Sequence, residues 1–167
     1  GRYTWADGKR YEGNFSAGKR QGFGSLTWVN GDRYQGNFAD NRIRGKGVFL
    51  WANGDRYEGS FVANQRSGQG VMRWQGGQRY EGQFEAGLMD GLGEYRWPDG
   101  TSYKGMFALD RRSGLGVLIY PDASVFTGFF LEDRRHGMGV EQRNNSPLSL
   151  QRWQEDVLQE SQAIVTD

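Results

Sequence analysis

The sequence predicts an all-β repeat array: an elongated, twisted, single-layer antiparallel sheet of successive 23-residue β-hairpins, closed by a C-terminal α-helix. Three observations predict it. An aromatic residue returns every 23 residues at Tyr11, Tyr34, Tyr57, Tyr80, Tyr103 and Phe126, with no insertion between the first and the last. Around each of them, and around a second aromatic series, apolar residues alternate with polar ones at the period of a strand. Residues that tolerate a left-handed backbone stand between the alternating stretches at fixed positions.

The first strand of each copy reads Tyr-x-Gly-x-Phe. Gly13, Gly36, Gly59, Gly82, Gly105 and Gly128 follow the aromatic by two residues, and Phe15, Phe38, Phe61, Phe84, Phe107 and Phe130 follow by two more. Residues two apart in a strand share a face, so two rings lie on one side with a gap between them. The second strand opens with paired glycines, from Gly22/Gly24 to Gly137/Gly139, and runs four residues on to Trp28, Trp51, Trp74, Trp97 or Tyr120. Leu26, Phe49, Met72, Tyr95 and Leu118 stand two residues before those aromatics and share their face. Between Trp and the next Tyr come Asp7-Gly8, Asn30-Gly31, Asn53-Gly54, Gly76-Gly77 and Asp99-Gly100, which supply the positive φ of a tight hairpin turn. The other connection carries Gly18, Asn41, Asn64, Gly87, Asp110 and Asp133 at one position, so a second defined turn belongs there.

The array spans residues 1–146, with a remnant at 1–10 and copies starting at 11, 34, 57, 80, 103 and 126. It amounts to thirteen strands and, at roughly 4.8 Å per strand, extends about 60 Å. In the last copy Arg143 replaces the Trp and Ser146 replaces the turn glycine, as in a terminal repeat. From Pro147 the glycines stop. Ser146 can cap a helix with Pro147 in its first turn, and Leu150, Trp153, Val157, Leu158, Ile164 and Val165 fall near helical spacing. Residues 147–167 are therefore expected to form an amphipathic helix that covers the open end of the sheet or its aromatic face, or else binds a partner or a second copy.

The motif Tyr-x-Gly-x-Phe, six residues, Gly-x-Gly, three residues, Trp, two residues, Gly resembles the MORN repeat, named for membrane occupation and recognition nexus. The resemblance covers residues 1 to about 143. It implies a scaffold in cytoskeletal, ciliary or membrane-associated assemblies, binding partners through a concave surface, with phospholipid binding proposed for some members.

Composition narrows the function. Lys and Arg number 21 against 20 Asp and Glu, so no global field favours nucleic acid, and none is expected as a partner. The chain has no cysteine and one histidine, His136, which leaves neither a disulfide framework nor a thiolate metal site; no cofactor or metal is expected. No apolar run approaches the roughly 18 residues of a membrane span, and the expected setting is cytoplasmic. The Gly-x-Gly pairs lie in strands and no Gly-Lys-Ser/Thr follows a glycine-rich loop, so they are not a phosphate cradle. No nucleophile motif accompanies His136, and the chain is not expected to be an enzyme.

Two surfaces carry the expected function. A single-layer sheet has no second layer to cover its aromatic face, so a groove lined by Tyr34, Phe38, Trp51, Tyr57, Phe61, Trp74, Tyr80, Phe84 and Trp97 is the expected docking site for an extended or helical peptide of a protein partner. The loop edge carries Lys19, Arg20, Arg42, Arg44, Arg66, Arg111, Arg112, Arg134 and Arg135, a ladder suited to an anionic phospholipid, phosphoinositide head groups included, or to an acidic partner segment. Arg10, Arg33, Arg56 and Arg79, each preceding a tyrosine, are expected to lie over rings as cation–π partners. An architectural module that self-associates as a homodimer is the remaining reading.

Overall fold

The computed structural model describes residues 1–165. Fifteen strands and no helix occur among them. The chain divides into two compact units, Gly1–Leu88 and Met89–Asp167. The first holds β1 (Arg2–Thr4), β2 (Arg10–Ser16), β3 (Lys19–Thr27), β4 (Arg33–Ala39), β5 (Arg42–Leu50), β6 (Arg56–Val62), β7 (Gln65–Arg73) and β8 (Arg79–Glu85). The second holds all but the first residue of β9 (Leu88–Arg96), and β10 (Ser102–Ala108), β11 (Arg111–Ile119), β12 (Val125–Leu131), β13 (Arg134–Gln142), β14 (Ser149–Gln154) and β15 (Val157–Ala163). Within each unit the strands pair antiparallel in sequence order.

Two turn types alternate. The connection within a copy is a two-residue hairpin with both residues at positive φ, as at Ala63 (46°) and Asn64 (71°), the geometry of a type I′ turn. The Asn64 amide donates to the Ile43 carbonyl at 3.0 Å, and its side-chain oxygen accepts the Ile43 amide at 2.8 Å. Asn41, Asp110 and Asp133 repeat this clasp on Arg20, Met89 and Arg112, so each turn is stitched to the preceding copy. The other connection is a β-turn in which the Gly54 amide donates to the Trp51 carbonyl at 3.0 Å; there the glycine alone takes positive φ, and Asn53 accepts the Asp55 amide instead.

The paired glycines serve two separate needs. Between β6 and β7 the register runs Gly59↔Gly70 and then Phe61↔Arg66, so β7 carries extra residues in a bulge. Gly68 sits in that bulge at φ 77°. Gly70 has no such constraint; it lies beneath the Tyr57 ring, where a Cβ would stand 2.3 Å from the phenolic oxygen.

The core is a single layer of rings. Tyr57 contacts Phe61 and Phe84 edge-on, each at 5.0 Å between centroids, and the same triad recurs at Tyr11 with Phe15 and Phe38, at Tyr34 with Phe38 and Phe61, and at Tyr103 with Phe107 and Phe130. Each tyrosine hydroxyl is satisfied locally: Tyr57 Oη donates to the Ser60 carbonyl, opposite the bulge, at 2.9 Å, and Tyr34 to Asn37 at 3.0 Å. Burial pushes the hydroxyls of Tyr34, Tyr57 and Tyr103 up to about 12, because ionisation would leave a phenolate in an apolar layer.

The expected C-terminal helix is not formed; residues 149–163 are the hairpin β14–β15. Trp153 stands 23 residues after Phe130, and Asp156 stands 23 after Asp133. Glu155 and Asp156 have φ of 48° and 66°, and Asp156 clasps Arg135 as Asp133 clasps Arg112. Trp153 meets the Phe126 ring edge-on at 6.1 Å, the place Phe130 takes against Tyr103. Turn residues and strand-period burial at Ser149, Gln151 and Trp153 outweigh the loose helical spacing of the apolar residues. Ser146 is no helix cap; its amide donates to the Arg143 carbonyl in the turn that precedes β14. Residues 166 and 167 of the expected helix lie outside the described residues.

With Ser149 in the tyrosine position, no ring lies over the glycine position, and Gln151 fills it. Gln151 donates to Glu141 at 2.7 Å and accepts the Trp153 indole N–H at 2.9 Å, while Glu141 pairs with Arg143 at 3.1 Å. The terminal hairpin thus closes with a buried polar network where the other copies use rings.

Candidate partner-binding surface

Each strand has two faces, and the rings occupy one of them. Of the nine residues expected to line the docking groove, Tyr34, Phe38, Tyr57, Phe61, Tyr80 and Phe84 are buried among one another, and Trp51, Trp74 and Trp97 are half-buried at the margin of the layer. The ring face is further closed by arginines. The Arg66 guanidinium lies 5.8 Å from the Trp51 and Tyr57 centroids and 5.2 Å from that of Phe84, and it donates to the Gly87 carbonyl. Arg20 covers Trp5, Tyr11 and Phe38, Arg112 covers Trp97, Tyr103 and Phe130, and Arg135 sits 3.6 Å from the Trp153 centroid.

The cation–π role expected of Arg56 and Arg79 falls to this other series. Arg56 and Arg79 instead pair with Glu58 and Glu81, two residues along the same strand and on the opposite face. The reason is register: the residue before each tyrosine points away from the ring, whereas the second residue of the next strand, Arg66 in β7, is paired with the phenylalanine.

The basic edge separates into three groups. Arg20, Arg66, Arg112 and Arg135 fold over the rings. Lys19, Arg111 and Arg134 pair with carboxylates of the next copy's turn, Asp40 at 3.1 Å, Glu132 at 3.5 Å and Glu155 at 3.2 Å. Arg112 and Arg135 also meet Asp133 and Asp156. Arg42 and Arg44 have no ion-pair partner among the described residues, and they line a small recess in the first unit with Lys19 and Asp40. Five of the nine cations, Lys19, Arg111, Arg112, Arg134 and Arg135, thus take part in ion pairs between copies, all of them at the surface.

The open surface lies on the face opposite the rings. In the first unit a groove of about 650 Å³ runs across the strands. Its floor is the backbone of Gly36, Gly47, Gly59 and Gly70. Gln35, Val48, Glu58, Val71 and Glu81 form one wall, and Phe23, Asn37, Lys46 and Gln69 form the other. The glycines that receive the tyrosine rings on one face leave a bare backbone on the other, and this makes the trough. Sequence periodicity held the signal, because these residues are the alternate positions of the same strands, but their mixed polarity concealed it. Phe23, large and exposed in the polar phase of β3, departs from that pattern, as do the smaller Val48 and Val71.

Among the described residues no group of three or more His, Asp and Glu is placed to hold a metal. No helix is long and apolar enough to cross a membrane.

Among solved structures, the chain is similar to the TCP domain of Drosophila melanogaster SAS-4 (dCPAP) in complex with a proline-rich motif. That likeness has a TM-score of 0.48 and 15% identity, over 99% of this chain and 89% of that one. It is also similar to the G-box domain of the microcephaly protein CPAP (TM-score 0.41, 16% identity, 98% of each chain). A third similar structure is the TCP10 domain of Danio rerio CPAP (TM-score 0.31, 15% identity, 98% of this chain and 99% of that one). No curated protein matches the sequence. The MORN repeat model matches residues 1–10, 11–33, 34–56, 57–79, 80–102, 103–125 and 126–146. With the matched register, the ring triads and the two alternating turns in agreement, the chain belongs to the MORN-repeat family.

Proposed function

We propose that this chain is a non-catalytic protein-interaction module that takes an extended peptide segment along the glycine-floored groove of its first unit. The groove itself carries the reading. Its walls stand two residues apart along each strand, about 6.6–6.8 Å at the backbone. A helix, about 10–12 Å across with its side chains, is too wide for that trough, whereas an extended chain lies between the walls.

The walls set the chemistry of the peptide. Val48, Val71 and Phe23 offer apolar contact, while Gln35, Asn37 and Gln69 present side-chain amides to its backbone. Glu58 and Glu81 on one wall and Lys46 on the other favour a segment of mixed charge. The rings and their arginines support the sheet from behind and are not offered to the peptide.

A peptide-display selection against the intact chain tests this. Peptides selected on the native chain should lose at least about tenfold in affinity for a Val48→Asp/Val71→Asp variant and retain it for Trp51→Ala/Trp74→Ala, each checked for a native circular dichroism spectrum. Retention by the groove variant and loss by the tryptophan variant would move the docking site to the ring face and refute the groove.

A further inference from the structure

The face opposite the rings differs between the units at equivalent positions of the repeat. In the first unit the two alternating positions, one on each strand of the hairpin, hold Asn14, Asn37, Ser60 and Gln83, and Lys46 and Gln69 with Phe23 as the single large apolar residue. In the second, β9 to β13 hold Leu92, Met106, Leu115, Phe129 and Met138 at these positions, which are 61%, 41%, 55%, 51% and 44% exposed, and Arg152 on β14 ends the row beside Met138. They fall on five successive strands, β9 to β13, and form one row across the sheet. The fold does not require apolar residues there, since the first unit builds the same strands and turns with Asn, Lys, Ser and Gln. Five adjacent large apolar side chains in water are explained by a surface that covers them.

We infer that this row is a self-association surface, closed by the same row of a second copy of this chain about a two-fold axis at Leu115. The row is self-complementary when reversed. With the axis parallel to the strands, Leu115 meets Leu115 of the second copy, Met106 meets its Phe129 and Leu92 meets its Met138. Apolar residues then face apolar residues throughout.

The flanking positions agree with this pairing. On the side toward the type I′ turns, Asp90 comes opposite His136 of the second copy, Ala108 opposite Leu131, and Ser113 opposite Ser113. On the other side, Glu94 faces Val140, Lys104 faces Thr127, and Val117 faces Val117. Arg111, on the axis strand, meets Arg111 of the second copy with each paired to Glu132 of its own chain, and Asp90 against His136 favours the reversed orientation.

The area is also adequate. Half-exposed side chains of this size leave roughly 100 Å² each in water, so the row offers about 500 Å² per copy. Two copies bury about 1,000 Å² from the row alone, the lower bound of a specific interface, before Val117, Val140 and Leu131 are added. The surface lies wholly within the second unit and does not depend on the peptide groove.

Sedimentation equilibrium of the intact chain should show a monomer–dimer equilibrium. A Leu115→Gln/Phe129→Asn variant, carrying residues that the first unit tolerates at those positions, should weaken dimerisation at least about 100-fold with an unchanged circular dichroism spectrum. Since the chain has no cysteine, single replacements locate the axis. Leu115→Cys should be joined into a covalent dimer by a short bis-maleimide, and Gln69→Cys, the equivalent position of the first unit, should not. A wild-type chain that stays monomeric at about 100 µM overturns the proposal and assigns the row to a different protein; so does a Gln69→Cys variant that cross-links as readily as Leu115→Cys.

Discussion

Replacing Gly70 with alanine isolates the contact on which the ring layer rests. The backbone of Gly70 is not left-handed, so alanine is conformationally acceptable there, and on unfolded-state entropy alone it would stabilise by about 0.4–1 kcal/mol. The added Cβ, however, would stand 2.3 Å from Tyr57 Oη, 2.4 Å from Cε2 and 2.5 Å from Cζ, an overlap of about 1 Å with three atoms of one ring. The ring has little freedom to retreat. Phe61 and Phe84 hold its edges at 5.0 Å, Arg66 lies over it, and Oη is bonded to the Ser60 carbonyl at 2.9 Å. Overpacking costs about 1–3 kcal/mol and a lost buried hydrogen bond about 1 kcal/mol, so Gly70→Ala should destabilise by about 2–4 kcal/mol. Denaturant unfolding followed by tryptophan fluorescence measures this, and a double-mutant cycle assigns it. In a Tyr57→Ala background the ring is gone, and Gly70→Ala should cost nothing or stabilise slightly. An equal penalty in both backgrounds would mean that the alanine clashes with the backbone and that the ring-over-glycine account is wrong.

Alkali should release the same layer: with Tyr34, Tyr57 and Tyr103 held up to about 12 against an ordinary 10, their contribution is complete below pH 10 and is lost as pH rises through 12, so tyrosinate absorbance and loss of native circular dichroism should rise together in that window. Arg66→Met should lower stability by about 1–2 kcal/mol, whereas Arg44→Ala should stay within about 0.5 kcal/mol, because only Arg66 covers rings; equal effects in thermal melts would contradict the division of the basic edge. Asn64→Ala should cost about 1–2 kcal/mol by straining a residue at φ 71° and removing the acceptor of the Ile43 amide, and Asn64→Gly, which keeps the φ, should cost less. Trp153→Ala should destabilise the second unit by about 3 kcal/mol while leaving no helical signal to lose, as befits a strand residue packed on Phe126 and under Arg135.

What the sequence determined by itself was everything carried by near neighbours along the chain. The two-residue period of Tyr-x-Gly-x-Phe, and the Asn, Asp and Gly that accept a left-handed backbone, specify strands, turns and their order, because φ preference and side-chain alternation act over two to four residues. Even the terminal hairpin was legible this way: Trp153 and Asp156 continue the 23-residue period, although the apolar spacing of residues 150–165 suggested a helix. Which face is closed was decided only by tertiary structure. Tyr57 is hidden because its ring folds onto Gly70 of the neighbouring strand and because Phe84 and Arg66, distant in sequence, complete its cage. Arg111 and Arg134 read as a basic ladder until the hairpins are paired, when Glu132 and Glu155 of the following turns come beside them. Burial and charge neutralisation arise between residues a full repeat apart, and the local pattern holds no record of which side of the strand they will cover.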